Sequence, residues 1–166
     1  MNPLATRRAK AYAIDMAVYA GVAAAMLPVG FLLSRAGIGE SQTAVIAVSA
    51  VPPAIATAIA TRSEAKGATI GKRMVGLKVE DADGAAVPVG RALIRNALKI
   101  AVPWQAGHIV TISTVYGRWD DPDAWLIAAT VVCYGMIGLG LWGIARRSGL
   151  TVHDIVGQSQ VVSAHQ

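Results

Sequence analysis

The chain alternates between four long runs of apolar residues and shorter polar segments. A helix needs about 20 apolar residues to cross about 30 Å of hydrocarbon, and each run is close to that length. Because a backbone in lipid must satisfy its own hydrogen bonds, the runs predict helices. The predicted fold is an all-α integral membrane protein, a four-helix transmembrane bundle formed by a single domain over residues 1–166. The predicted spans are about residues 11–34, 43–61, 97–116 and 124–145.

Several prolines fall inside or beside these runs, namely Pro28, Pro52, Pro53 and Pro103. Proline is tolerated in membrane helices when neighbouring helices cover the carbonyl groups that it frees. We therefore expect kinks at these positions and no change in the number of spans.

The polar segment between the second and third spans, residues 62–96, begins with a strand pattern. Leu77 and Val79 alternate with polar residues, turn residues follow at 81–84, and Val87 and Val89 resume the alternation. This pattern predicts a short β-hairpin on the cytoplasmic side.

From residue 89 to residue 100 the periodicity changes to that of a helix. Arg91, Arg95 and Lys99 recur every four residues, and apolar residues such as Leu93 and Ile94 take another face. The pattern predicts an amphipathic helix that leads into the third span and presents its cations to lipid headgroups or to an acidic partner. The tail, residues 146–166, is polar enough to be cytoplasmic.

Composition supports a membrane location. The chain is 54% hydrophobic and only 15% charged, whereas soluble domains carry about 25% charged residues. The net charge of +5 comes from residues between the apolar runs, which favours a topology signal over nucleic-acid binding. Of the 15 basic residues, all but Arg35 and Arg118 fall on one side. This asymmetry predicts a multi-pass protein of the plasma membrane with both termini in the cytoplasm.

One carboxylate lies inside a predicted span. Asp15 is one to two turns into the first apolar run, where a charge is costly enough to need a partner. Arg8 is too far along the helix axis to pair with it easily. The expected partners of Asp15 are Arg91, Arg95 and Lys99, and the expected partner of Arg8 or Lys10 is Asp154.

Three separated motifs resemble the RDD family of prokaryotic membrane proteins. They are residues 7–15 (RRAKAYAID), residues 67–79 (GATIGKRMVGLKV), and His153-Asp154 followed by Val161-Val162. The family is named for one Arg and two Asp, which correspond here to Arg8, Asp15 and Asp154. The resemblance also implies an Arg in the helix after the central motif, which is Arg95. Transport, including cation exchange, has been suggested for this family.

The charged set has two interpretations. In one, the chain is a cation, proton or small-solute transporter, or a transporter subunit, with Asp15 as the coupling acid and Gln105 and His108 along the pathway. In the other, Arg8, Asp15, Arg95 and Asp154 form a structural network at the cytoplasmic interface. The chain is then a scaffold or accessory subunit of the inner membrane that binds anionic lipids or partner proteins. Its contact residues would be Lys72, Arg73, Arg91 and Lys99.

Other kinds of site find little support in the sequence. Residues 67–72 are one residue short of a phosphate-binding loop, and Arg73 replaces the hydroxyl that would bind magnesium. The histidines and Cys133 lack metal-ligand spacing, and no catalytic constellation is visible. We therefore expect no enzyme activity, cofactor, metal or nucleic acid. The expected partners are the lipid bilayer, anionic lipids, a second copy of the chain or another membrane protein.

Overall fold

Helices predominate in the computed structural model, which describes residues 4–146 and 149–164. The first half holds α1 (Ala5–Ala25), α2 (Leu27–Arg35), α3 (Gln42–Val48), α4 (Val51–Glu64), α5 (Ile70–Met74) and the strand β1 (Leu77–Glu80). The second half holds α6 (Val89–Asn96), α7 (Val102–Val115), α8 (Ala124–Ala145), α9 (Val152–Val156) and the strand β2 (Gln160–Ser163). A short 3-10 turn spans Ile38–Glu40, and a π-helical turn spans Ala97–Ala101.

Within the described residues, three helices are long and apolar enough to cross a membrane: Ala5–Arg35, Gln42–Glu64 and Ala124–Ala145. The first has 31 residues, which gives a length of about 46 Å, more than the hydrocarbon core requires. Its early turns pack against α5. The third predicted span corresponds to α7, which carries Gln105 and His108 and is not one of these three helices.

The helices are interrupted close to the prolines. α1 and α2 are separated at Met26, two residues before Pro28, and α3 and α4 are separated shortly before Pro53. The π-helical turn ends two residues before Pro103. Because proline has no N–H to donate, the regular ladder of hydrogen bonds cannot continue through it.

The predicted β-hairpin is wrong in its second strand. β1 pairs antiparallel with β2 from the tail, with Leu77 opposite Ser163. The chain does turn after β1, where Asp81 accepts hydrogen bonds from the following backbone. Pro88 then precedes α6 and has no N–H to donate to a strand ladder, so the segment enters a helix. Val87 still faces the strands, because it packs with Val79, Ala92 and Val161.

The helix predicted from residue 89 is present. Its cations were expected to face outward, but Arg95 faces inward and the apolar side chains face outward. Leu93 and Ile94 are 50% and 51% exposed, whereas Arg95 is 1% exposed. Two buried carboxylates lie beside Arg95 and attract its charge inward. The apolar side chains are left on the outer surface, which is a stable arrangement where the surroundings are apolar.

The apolar helices contact one another through small residues. Tyr19 of α1 packs on Ala56 and Ala60 of α4 and on Ile100 of the π-helical turn. The two alanines are fully buried. Small side chains allow close approach between helices in lipid. This contact holds α1, α4 and the π-helical turn before α7 side by side.

Candidate functional site

Five buried charged side chains meet at one end of the helical bundle, and we call this set the charged junction. Each comes from a different helix: α1, α4, α5, α6 and α9. Its members are Arg8, Glu64, Lys72, Arg95 and Asp154. A buried charge is stable only when it is paired and hydrogen-bonded, and every member of the junction is paired.

Asp154 is held by two arginines. Arg95 donates to its Oδ1 from Nη2 at 2.6 Å and from Nε at 3.1 Å. Arg8 donates to its Oδ2 from Nη2 at 2.8 Å. The same oxygen accepts from the amide and the hydroxyl of Thr151, at 3.0 and 2.7 Å, in a capping box that begins α9. The expected pairing of Arg8 with Asp154 is present in this geometry.

Glu64 forms the other half of the junction, at the end of α4. Its Oε1 accepts from Lys72 Nζ at 2.5 Å. Its Oε2 accepts from Arg95 Nη1 and, at 2.8 Å, from Asn96 Nδ2. Lys99 Nζ lies 3.5 Å from Oε1. Arg95 therefore bridges Glu64 and Asp154, and it ties α4 to the tail through one side chain.

Asp15 is next to the junction but has partners other than the expected cations. Its Oδ2 accepts from the Thr69 hydroxyl at 2.6 Å, and its Oδ1 accepts from the Gly71 amide at 2.8 Å. Both donors belong to the start of α5, where a carboxylate is favourable because amide groups point outward from the first turn. The expectation that Arg91, Arg95 or Lys99 pairs with Asp15 is not met.

Two glycines allow the close contacts that build this end of the protein. A Cβ on Gly71 would overlap the carbonyl oxygen of Ala11, so only glycine lets α5 lie directly on α1. A Cβ on Gly157 would lie 2.9 Å from Arg95 Cβ. Because Gly157 has no side chain, the aliphatic part of Arg95 can pass beside it to reach Asp154.

The predicted pathway residues Gln105 and His108 cover carbonyl groups that the break between α3 and α4 leaves free. Gln105 Nε2 donates to the Ile46 carbonyl at 3.0 Å. His108 Nδ1 lies 2.9 Å from the Ser49 carbonyl, which is the group that Pro53 cannot donate to. Trp104 Nε1 donates to His108 Nε2 at 2.8 Å. Because the indole can only donate and the carbonyl can only accept, His108 is the neutral tautomer protonated at Nδ1.

The predicted lipid- or partner-contact residues fall into two groups. Arg73 and Arg91 are exposed. Lys72 is buried against Glu64, and the side chain of Lys99 is only 9% exposed. Basic residues on the outer surface of this end include Arg62, Lys66, Arg73 and Arg91.

Burial and neighbouring charges act together on the ionisable groups in and around the junction. Burial and the neighbouring charge of Lys99 lower the pKa of Lys72 to about 7, although Glu64 opposes the shift. Burial also lowers the pKa of the His153 imidazole to about 3. For Asp154, burial raises the pKa of the carboxyl, but the charges of Arg95 and Arg8 and the hydrogen bond from Thr151 together outweigh it and keep that pKa below its usual range.

Sequence reasoning missed three residues of this site. Glu64 falls within the cytoplasmic segment predicted over residues 62–96, yet it is 0% exposed and accepts from Lys72, Arg95 and Asn96. Its position directly after an apolar run of a helix was the available signal. Thr69 and Asn96 carried no pattern that predicted their roles.

A cavity of about 160 Å³ lies beside the charged junction, and we call it the junction cavity. Asp15, Lys72, Arg95 and Lys99 contribute to its lining. As for metals, no three His, Cys, Asp or Glu side chains in residues 4–146 and 149–164 are placed to hold an ion. The geometry therefore offers a positively charged enclosure and a fixed set of ion pairs.

Comparison with known proteins identifies one family. No curated protein and no solved structure matches the chain. The model of the RDD family matches residues 2–158, which is nearly the whole chain and includes all members of the charged junction. Together with the three apolar helices, this match indicates a membrane protein. The chain belongs to the RDD family.

Proposed function

We propose that the chain is a non-catalytic, multi-pass scaffold or accessory protein of the plasma membrane. The observation that carries this proposal is the charged junction, in which Asp154 is held by two arginines and Glu64 by Lys72, Arg95 and, at a longer distance, Lys99. Breaking one pair in such a buried network leaves an uncompensated charge and is costly. The junction therefore suits a rigid framework better than a carrier that must alternate between conformations.

Four spans, with the charged junction on the cytoplasmic side, form part of this proposal. α7 packs along α8, and Gln105 Nε2 and His108 Nδ1 are hydrogen-bonded to backbone carbonyls within the protein. A helix whose polar side chains are covered in this way is compatible with lipid. The excess of basic residues at the junction end supports its cytoplasmic placement.

The exposed basic surface is the contact surface in this proposal. Arg62, Lys66, Arg73 and Arg91 lie outside the junction and carry no ion pair among the described salt bridges. Each such residue near an anionic leaflet contributes about 1 kcal/mol of attraction. Anionic headgroups or an acidic partner protein match this surface.

Transport is the second candidate, and one observation favours it. Asp15, the carboxylate deep in the first helix, contributes to the lining of the junction cavity. Carboxylates within membrane helices often mark ion pathways. Against this candidate, Gln105 and His108 are committed to backbone carbonyls, so they are not free to relay protons from Asp15.

A flux assay separates the two candidates. Purified protein is reconstituted in liposomes, and proton, sodium and potassium gradients are applied in turn with a pH-sensitive dye inside. We expect wild type and Asp15→Asn to behave like protein-free liposomes. A cation-dependent proton flux in wild type that Asp15→Asn abolishes, with the fold retained, would overturn the scaffold proposal in favour of transport.

A further inference from the structure

The junction cavity has walls of two kinds. On one side lie cationic groups of the junction end, including Arg8, Lys72, Arg95 and Lys99. On the other side lie apolar residues of α8, including Ile137 and Leu141. A cavity that is cationic at one end and apolar along its length fits an anionic amphiphile better than a small hydrophilic ion.

The charges around the cavity do not cancel. When Lys72 is protonated, the four cations Arg8, Lys72, Arg95 and Lys99 exceed the three carboxylates Asp15, Glu64 and Asp154 by one positive charge. The arginines are engaged by carboxylates at hydrogen-bonding distance. Lys99 is the least engaged cation, because its Nζ reaches Glu64 only at 3.5 Å. A single negative charge from a ligand would complete the balance.

The cavity opens at the surface between α1 and α8, on the side where α8 faces the bilayer. Tyr12 of α1 and Ile137 and Leu141 of α8 line it and are 44%, 50% and 66% exposed. α8 is one of the three apolar helices. A ligand entering between α1 and α8 therefore approaches from the bilayer, which favours a lipid over a water-soluble anion.

The π-helical turn provides an independent reason to consider this position a binding site. Leu98 and Lys99 both belong to the turn Ala97–Ala101, and both line the cavity. π-helical turns within α-helices are rare and are frequent at functional sites. Here the turn supplies the cavity with one apolar and one cationic side chain.

We propose that the junction cavity binds one anionic glycerophospholipid, whose phosphodiester pairs with Lys99 and Lys72 while an acyl chain lies along α8. A phosphodiester carries one negative charge, which equals the charge left over at the junction. This site differs from the exposed basic surface, because its cations are buried and its apolar wall is an α8 face. It does not depend on whether the protein acts as a scaffold or as a transporter.

Native mass spectrometry of the purified full chain tests the proposal. The protein in a non-ionic detergent is titrated with phosphatidylglycerol or with phosphatidylcholine of the same acyl chains. We expect the first phosphatidylglycerol to bind about fivefold more tightly, since one lysine near a lipid phosphate contributes about 1 kcal/mol. Equal affinities for the two lipids would overturn the proposal.

Two pairs of variants locate the site. Lys99→Gln removes the least engaged cation and is expected to abolish the preference for phosphatidylglycerol. Arg35→Gln removes an exposed cation at the end of α2, outside both the cavity and the exposed basic surface, and is expected to keep the preference. Gly140→Leu places a side chain in the cavity, whereas Gly135→Leu places one on α8 outside the cavity lining. Neither glycine has a neighbour within 4 Å of its added Cβ, so both variants are expected to fold.

The glycine pair keeps the test decisive if Lys99→Gln does not fold. We expect Gly140→Leu to weaken the first phosphatidylglycerol by about tenfold and Gly135→Leu to leave it unchanged. If both variants bind like wild type, the acyl chain does not lie in the cavity and the proposal fails. If inorganic phosphate displaces the lipid at similar concentrations, the site is one for a free anion, and the lipid proposal is also overturned.

Discussion

Arg95 and Asp154 form a two-bond ion pair across 59 residues of chain, with the guanidinium Nη2 and Nε 2.6 and 3.1 Å from the same carboxylate oxygen. The pair joins α6 to α9 in the tail. Because both side chains are almost fully buried, neither charge has water as an alternative partner. The stability of this end of the protein therefore depends on both residues being present and ionised.

Neutralising Asp154 is expected to destabilise the protein strongly. Asp154→Asn leaves Arg8 and Arg95 facing each other without this carboxylate, and breaking a buried pair costs about 3–5 kcal/mol. Thermal unfolding in detergent measures the effect. Asp83→Asn, in the exposed turn after β1, is the matched control and is expected to be neutral. Equal melting temperatures for the two variants would contradict the role of the junction.

Asp15 is expected to tolerate amidation much better than Asp154. An Asn at position 15 still accepts from the Gly71 amide, and its amide group donates to the Thr69 hydroxyl oxygen. We expect Asp15→Asn to cost about 1 kcal/mol, and Asp15→Leu about 3 kcal/mol because it leaves both donors unpaired. A melting temperature for Asp15→Asn as low as that of Asp15→Leu would show that the charge itself is required.

His108 and Pro53 are expected to be coupled. His108→Leu leaves the Ser49 carbonyl and the Trp104 N–H without partners, at a cost of about 1–3 kcal/mol. Pro53→Ala restores a backbone N–H four residues after Ser49, which can cover that carbonyl. In a double-mutant cycle, His108→Leu should therefore cost less in the Pro53→Ala background. Purely additive melting-temperature changes would argue against the carbonyl as the partner of His108.

Acidification is expected to destabilise the protein through His153. The pKa of His153 is lowered to about 3 in the folded protein, from an ordinary value of 6.5. The unfolded chain therefore binds a proton that the folded one does not, and stability present above pH 6.5 is lost as the pH falls towards 3. At pH 4.5 the loss amounts to about 2–3 kcal/mol.

The variant His153→Gln separates this effect from that of the carboxylates. Asp154, whose pKa lies below its usual range, contributes a loss only below about pH 4. Melting temperatures between pH 7 and pH 4.5 should fall for wild type and stay nearly level for His153→Gln. The same slope in both proteins would assign it to another group.

Cysteine labelling tests the four-span topology. In a Cys133→Ser background, Asp120→Cys and Asp83→Cys each place one thiol at an exposed position. A membrane-impermeant maleimide added to intact cells should label the thiol at position 120, and the thiol at position 83 only after permeabilisation. If α7 does not span, both positions lie on the same side and label alike.

Part of this structure could be predicted from the sequence, because some patterns are local and strong. Apolar runs of about 20 residues predict membrane helices directly, and three of the four are long apolar helices here. The pair of Arg8 with Asp154 was expected because Arg8 lies too far along the helix axis from Asp15 to pair with it easily. The amphipathic pattern also placed Arg95 among the cations of this helix, and Arg95 pairs with Asp154, but it is buried.

Other parts depended on tertiary contacts that leave no local pattern. The hairpin rule considers only neighbouring segments, so it could not identify β2, which is 80 residues beyond its partner. A cation was the expected partner of Asp15, because a charge inside an apolar run is costly without a partner. Its actual donors are a hydroxyl and a backbone amide, which carry no charge and leave no charge pattern in the sequence. Gly71 and Thr69 supply those donors only because α5 lies directly on α1.

The pairing of β1 with β2 has a consequence for the order of events during synthesis. Every apolar helix precedes residue 146 in the chain, whereas Asp154 and β2 come after it. A nascent chain that has already inserted these apolar helices still has Arg8 without its carboxylate, Arg95 with only Glu64 as a partner, and β1 unpaired. α9 and β2 therefore complete the charged junction only after the apolar helices that precede them have been synthesised.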